Sequence, residues 1–143
     1  MGRLVIKVGS NVLTRDDGTL DVTRVSSLVD QIVRLRGSGY EVILVSSGAV
    51  ACGRSIVKSH SPLDAVAQRQ LYSAAGQAKL INTYYNLFSE YGIVVGQVLT
   101  MKNHFAPGDE FNNQKNCMGV MLDEGVIPIV NENDTVCITD ARS

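Results

Sequence analysis

The sequence predicts an α/β protein: a mostly parallel open sheet with helices on both faces. Three observations carry that prediction. Short β-branched runs alternate with segments of helical spacing along the whole chain. The runs are nearly continuous in apolar residues, as strands covered on both faces are. They also stop in small or polar residues, and the carboxyl ends of strands are where an open α/β sheet binds ligands.

Taken in order, Leu4-Val5-Ile6-Lys7-Val8 is a buried strand stopped by Gly9-Ser10. Residues 11–21 form a hairpin-like excursion, because Asp16-Asp17-Gly18 tolerates the positive φ of a tight turn. Asp21 then caps a helix in which Val25, Leu28, Val29, Ile32 and Leu35 recur at helical spacing. Arg34 and Arg36 oppose the negative helix end, and Gly37 and Gly39 stop it. Residues 41–45 are a second strand, buried on both faces, ending in Ser46-Ser47-Gly48-Ala49.

After a loop around His60-Ser61-Pro62, a long helix starts near Asp64. In it Leu71, Ala74, Ala78, Ile81, Tyr85 and Phe88 alternate at spacings of three and four. That narrow seam packs on the sheet or pairs with a second copy in a homo-oligomer. Residues 93–99 give a third strand, ending in Thr100. Residues 102–113, with Pro107-Gly108 at their centre, are expected as a surface loop, followed by a helix over residues 114–124 that Gly125 closes. Residues 126–130 are the last strand, although Pro128 favours a sheet edge.

At 143 residues the chain is sized for one domain with one core. A net charge of −1, with no tryptophan and no basic run, gives no case for nucleic acid or an anionic membrane. No apolar run reaches the length of a membrane span. The amino terminus enters a strand pattern directly, unlike a signal peptide. Cys52, Cys117 and Cys137 have neither disulfide nor zinc spacing, and His60 and His104 sit near no partner ligand. No metal ligand is therefore assigned, and free thiols fit a cytoplasmic location.

The chemistry gathers at the strand ends. Lys7 lies within an apolar run, where an ammonium calls for an anionic partner, a phosphate or a protein carboxylate. Gly9 and Ser10 allow close backbone approach, and their N–H groups suit phosphate oxygens. Neither a Walker A loop nor a G-x-G-x-x-G pattern is present. Ser47-Gly48-Ala49 suits a carboxylate, held by the Ser hydroxyl and main-chain N–H groups; a capped turn is the plainer alternative. A serine nucleophile needs a base, and both histidines fall in expected loops. Asn131-Glu132-Asn133-Asp134 ends the last strand in amides and acids that suit a polar, zwitterionic molecule, or form an ordinary turn.

These segments together resemble the amino-acid kinase family. The matching stretches are Val5-Ile6-Lys7-Val8-Gly9-Ser10 with Val12-Leu13-Thr14, Leu44-Val45-Ser46-Ser47-Gly48-Ala49-Val50 with Gly53-Arg54, Ala74-Ala75-Gly76-Gln77, Tyr91-Gly92 with Gly96-Gln97, and the run from Pro128 to Asp134. The resemblance implies ATP- and Mg²⁺-dependent phosphorylation of the L-glutamate side-chain carboxylate, the first step of proline synthesis, commonly inhibited by proline. It implies that Lys7 contacts the transferring phosphate and that Gly9 and Ser10 lie along the phosphates. Ser47, Gly48, Asn131 and Asp134 would hold glutamate, Asp134 facing its ammonium.

The family's catalytic domain is considerably longer. Residues 1–143 are therefore expected to be its amino-terminal, glutamate-binding part, with the nucleotide-binding half and any PUA domain absent. The alternative is a non-catalytic glutamate- or proline-binding module.

Overall fold

The computed structural model describes residues 2–98 and 107–131, with side chains described from residue 114 in the second stretch. Four strands form one sheet in the order β1 (Arg3–Val8), β2 (Glu41–Ser46), β4 (Ile127–Asn131), β3 (Val95–Val98), and every pairing is parallel. The expected mostly parallel sheet is thus observed. Parallel neighbours need crossovers, and the helices supply them.

The helix α1 (Ser10–Leu13) is a single turn directly after β1. It replaces the first residues of the expected hairpin. The hairpin survives as one antiparallel bridge between Thr14 and Leu20, turning at Gly18 with φ +85°. Helix α2 (Val22–Gly37) begins where the sequence predicts, with the Asp21 carboxylate accepting from the Arg24 N–H at 3.2 Å. Val25, Val29 and Ile32 are fully buried, while Leu28 and Leu35 are partly covered.

Helix α3 (Ala49–Ile56) has no counterpart in the sequence prediction, which passes from Ala49 into a loop. Helix α4 (Ala65–Ser89) is capped by Asp64, whose carboxylate accepts from the Ala67 N–H at 2.7 Å. Its buried face is Ser73, Gly76, Leu80, Tyr84 and Phe88. Of the seam taken from sequence, only Phe88 belongs to that face; Ala74, Ala78 and Tyr85 are exposed. The reason is local. Gly53 and Gly76 let α3 and α4 approach backbone to backbone, and that approach sets the rotation of α4. A Cβ on Gly53 would strike the Tyr72 carbonyl, and one on Gly76 the Ala49 carbonyl.

Helix α5 (Pro107–Asp123) starts seven residues before the expected Gln114. Pro107 stands at its first position, where a missing N–H costs nothing, so proline opens this helix rather than marking a loop. Pro128 is fully buried in the interior strand β4, against the edge expectation. Pairing with β2 begins only at Leu44 and Ile129, so on that side the proline precedes the ladder.

Alternation along the strands divides the sheet into two faces. Val8, Val42, Leu44, Ile127 and Ile129 join the core formed with α2 and α4. The other face carries Val5, Lys7, Ile43, Val45 and Pro128 by the same alternation, and α5 covers its β3–β4 side, where Met121 lies against Gly96. Toward β1 this face is open: Val5 is 63% exposed and Lys7 is also exposed. β1 is therefore half-covered, not buried as its sequence suggests, because among the described residues it is an edge strand with a helix layer on one side only.

Candidate functional site

Three strand ends lie side by side. In the sheet register Val8 pairs with Ser46, and Ser46 with Asn131, so β1, β2 and β4 finish in one row. The parallel sheet brings together residues that lie far apart in sequence.

The loop after β1 is Gly9, which caps α1 with φ −81° and ψ 163°. The space where a Gly9 side chain would stand has no atom within 4 Å. Ser10 begins α1, and its carbonyl accepts from the Thr14 N–H at 3.0 Å and the Thr14 hydroxyl at 2.9 Å. The loop after β2 packs directly on this one. Gly48 has φ +102°, and a Cβ there would lie 3.2 Å from Ser10 Cα. Both the positive φ and the close approach select glycine at 48.

Ser47 ties β2 to β1: its N–H donates to the Val8 carbonyl at 3.0 Å, and its hydroxyl to the same oxygen at 3.3 Å. The second bond is long, and a charged acceptor would draw the proton away from it. Helix α3 follows at once, so the unpaired amides of its first turn open beside Ser47 and Gly48.

Asn131 closes β4. It is 7% exposed, and its Nδ2 has no hydrogen-bond partner among the described residues. A buried amide donor left unpaired costs stability, which a ligand carboxylate or carbonyl could recover. Lys7 lies one row in from the edge, beside Val45, on the opposite face from Ser46 and Asn131. The site therefore straddles the sheet edge, with a cation on one face, the Asn131 amide on the other, and the Ser47 hydroxyl at the strand ends between them.

The structure brings together Lys7, Gly9, Ser10, Ser47, Gly48 and Asn131. Asp134 lies outside the described residues, as do His104, Cys137 and Thr100. Cys52 is buried in α3 near Lys79, and burial pushes its thiol up from the ordinary value. Cys117 is exposed.

The sequence reading named Ser46 only as part of a polar strand end and missed Tyr84 altogether. Ser46 is 1% exposed, and its hydroxyl lies 3.1 Å from the hydroxyl of Tyr84, itself fully buried. Burial pushes the Tyr84 phenol up to about 12, against the opposing effect of the Ser46 hydrogen bond. A tyrosine at helical spacing reads as core, and nothing in the sequence marks its hydroxyl as paired. The small residues Ala49 and Gly53, four apart, are the signal that could have revealed α3.

Among the described residues no helix is long and apolar enough to cross a membrane. The chain is 64% identical over 138 residues to glutamate 5-kinase of Bacteroides thetaiotaomicron, covering 96% of this chain and 38% of that protein. It is 44% identical to the glutamate 5-kinase of Chlorobaculum tepidum, with the same coverage. Against that of Clostridium acetobutylicum it is 39% identical, over 99% of this chain and 53% of the relative. The chain thus spans roughly two fifths to half the length of these relatives. The fold matches a crystal structure of an isopentenyl phosphate kinase substrate complex with TM-score 0.55 at 14% identity, covering 91% of this chain and 54% of that one. Residues 2–142 match the model of the amino acid kinase family, and the chain belongs to that family.

Proposed function

We propose that this chain is the amino-terminal, glutamate-binding part of a glutamate 5-kinase, which phosphorylates the side-chain carboxylate of L-glutamate to L-glutamyl 5-phosphate. The observation that carries the proposal is the single row of strand ends, Val8, Ser46 and Asn131, in a chain 64% identical to a named glutamate 5-kinase.

The chemistry asks little of the protein beyond placement. A glutamate side chain has a pKa of about 4.3, so at neutral pH it is already a nucleophile and needs no general base. ATP with Mg²⁺, when bound, supplies the transferring phosphoryl group, and no residue of this chain is assigned to the metal. The open space at Gly9 fits a phosphate lying along the backbone of Gly9 and Ser10. Lys7 is the cation that offsets charge on the transferring oxygens, so its place on the open face is the nucleotide side.

Across the edge, the Ser47 hydroxyl, the Gly48 amide and the Asn131 amide hold the glutamate. Asp134 pairs with its ammonium group. Holding acceptor and donor on opposite sides of one edge aligns them for in-line transfer, the main source of rate in such reactions.

Proline as a feedback inhibitor, a cytoplasmic location and a homo-oligomer belong to the same proposal. The exposed Ala74, Ala78 and Tyr85 of α4 leave a strip free for self-association.

The test is glutamate-dependent ATP consumption by the full-length protein, with the acyl phosphate trapped as hydroxamate by hydroxylamine. Turnover with glutamate is expected. No turnover, or turnover only with carbamate or aspartate, overturns the proposal. Calorimetry on residues 1–143 with glutamate, proline and ATP separates a binding module from a kinase: glutamate or proline binding without ATP turnover favours the module, and turnover by these residues alone refutes it.

A further inference from the structure

We propose that Tyr84, acting through Ser46, is a positioning residue that fixes the orientation of the peptide joining Ser47 to Gly48 toward the acceptor carboxylate. The inference rests on the glutamate-binding reading of that loop and deepens it.

Ser46 points away from the open face, into the core side of the sheet, where its hydroxyl meets the Tyr84 hydroxyl at 3.1 Å. A serine hydroxyl has one proton to give. Ser46 directs it to the Ser47 carbonyl at 3.4 Å, which leaves Tyr84 as the donor to Ser46. The result is a relay from Tyr84 O–H to Ser46 Oγ, and from Ser46 O–H to the Ser47 carbonyl.

That carbonyl belongs to a rigid unit. No peptide bond in the described chain is cis, so the Ser47 carbonyl and the Gly48 N–H point in opposite directions. Drawing the carbonyl inward turns the Gly48 N–H outward. Gly48 then adopts φ +102° and leads into α3, whose first amides are also unpaired. The relay, though its last bond is long, therefore biases the peptide toward the orientation in which a main-chain donor faces the ligand.

The phenol has no other polar task among the described residues. Tyr84 is 0% exposed and packs beside Phe88, with ring centroids 6.5 Å apart. Phenylalanine would fill the same space and leave Ser46 without its donor. The phenol is protonated, hence a donor, across the neutral range, as any tyrosine is.

The experiment compares the full-length protein with Tyr84→Phe, Ser46→Ala and the double variant. KM for glutamate is expected to rise about five- to tenfold in each single variant, the effect of losing one hydrogen bond of ordinary net strength. KM for ATP and kcat are expected to stay within about twofold. The double variant is expected to be no worse than the worse single one, because both break one relay.

Amide hydrogen exchange of Ser47 and Cys52, whose N–H groups are bonded to the Val8 and Gly48 carbonyls on either side of the loop, read together with the melting temperature, is the second measurement. Faster exchange there in both variants, beyond any change elsewhere, is expected. Unchanged glutamate KM, a parallel rise in both substrates' KM, or unaltered local exchange would each overturn the inference. If the wild-type protein does not use glutamate, the function proposal fails, while the exchange comparison still decides the relay.

Discussion

On the α4 face of the sheet, Tyr84 and Phe88 are fully buried and two glycines bring helix backbones into contact, whereas on the opposite face Val5 stands 63% exposed beside an exposed Lys7. Both faces end at the same row of strand termini. One face holds that row from behind by dense packing; the other leaves it accessible. The contrast suits the proposed division of labour, in which a small acceptor would sit against the packed wall and a larger phosphate donor would approach from the open one. Close packing suits the first task because interiors transmit small displacements instead of absorbing them.

The sharpest way to break this contrast is to disturb the packed wall. Gly76→Val places a side chain inside the Ala49 carbonyl and Gly53 backbone. It is expected to prevent folding or to cost about 4 kcal/mol or more, by the overpacking mechanism. Chemical denaturation measures it, and a loss of only a few tenths would show that α3 and α4 are loosely joined.

On the open wall, Lys7→Ala in the full-length protein is expected to lower kcat by about 10²- to 10³-fold, the usual effect of removing one charge-stabilising donor. Steady-state kinetics tests it, and an unchanged kcat would remove Lys7 from the phosphoryl-transfer role.

An intermediate effect is expected from pH. The Tyr84 phenol is raised from 10.0 to about 12 in the folded protein, so between these values the unfolded chain loses its proton while the native one keeps it. Stability is therefore complete below about 10 and declines as pH rises toward about 12. Tyr84→Phe should flatten that alkaline decline in a denaturation series; an identical slope would mean that the phenol is not buried in solution.

The smallest effect belongs to Val5→Ser, expected to change stability by less than about 0.5 kcal/mol, as for an exposed position. A larger loss in the full-length protein would show that another part of the polypeptide covers this face.

Much of the fold was legible because its signals are local. Asp21 caps the helix it was expected to cap, and Asp64, near which the long helix was expected to begin, caps it as well, since an N-cap is a contact with an amide three residues on. The strands were marked by their β-branched runs, and their parallel pairing by the helices between them. α3 was missed because its eight residues span little more than two turns, too short a window for periodicity to stand out, and Gly53 within it reads as a breaker. α4 was placed correctly but rotated wrongly. Its large apolar residues suggested one face, while Gly76, with no side chain, determined another. Periodicity weighs what a residue buries and is blind to a residue whose role is to let a neighbour approach.

The sequence by itself determined the alternation of strand and helix, the caps, and the polar strand ends at Lys7, Ser47 and Asn131, all of which follow from residue type and short-range spacing. Only the tertiary structure decided that those ends share one row, that Lys7 faces away from Asn131, and that a core tyrosine reaches the back of the site through Ser46. The reason is physical. Strand order and register arise from contacts between residues tens of positions apart, and the destination of a buried hydroxyl depends on which polar atom the packing leaves within reach.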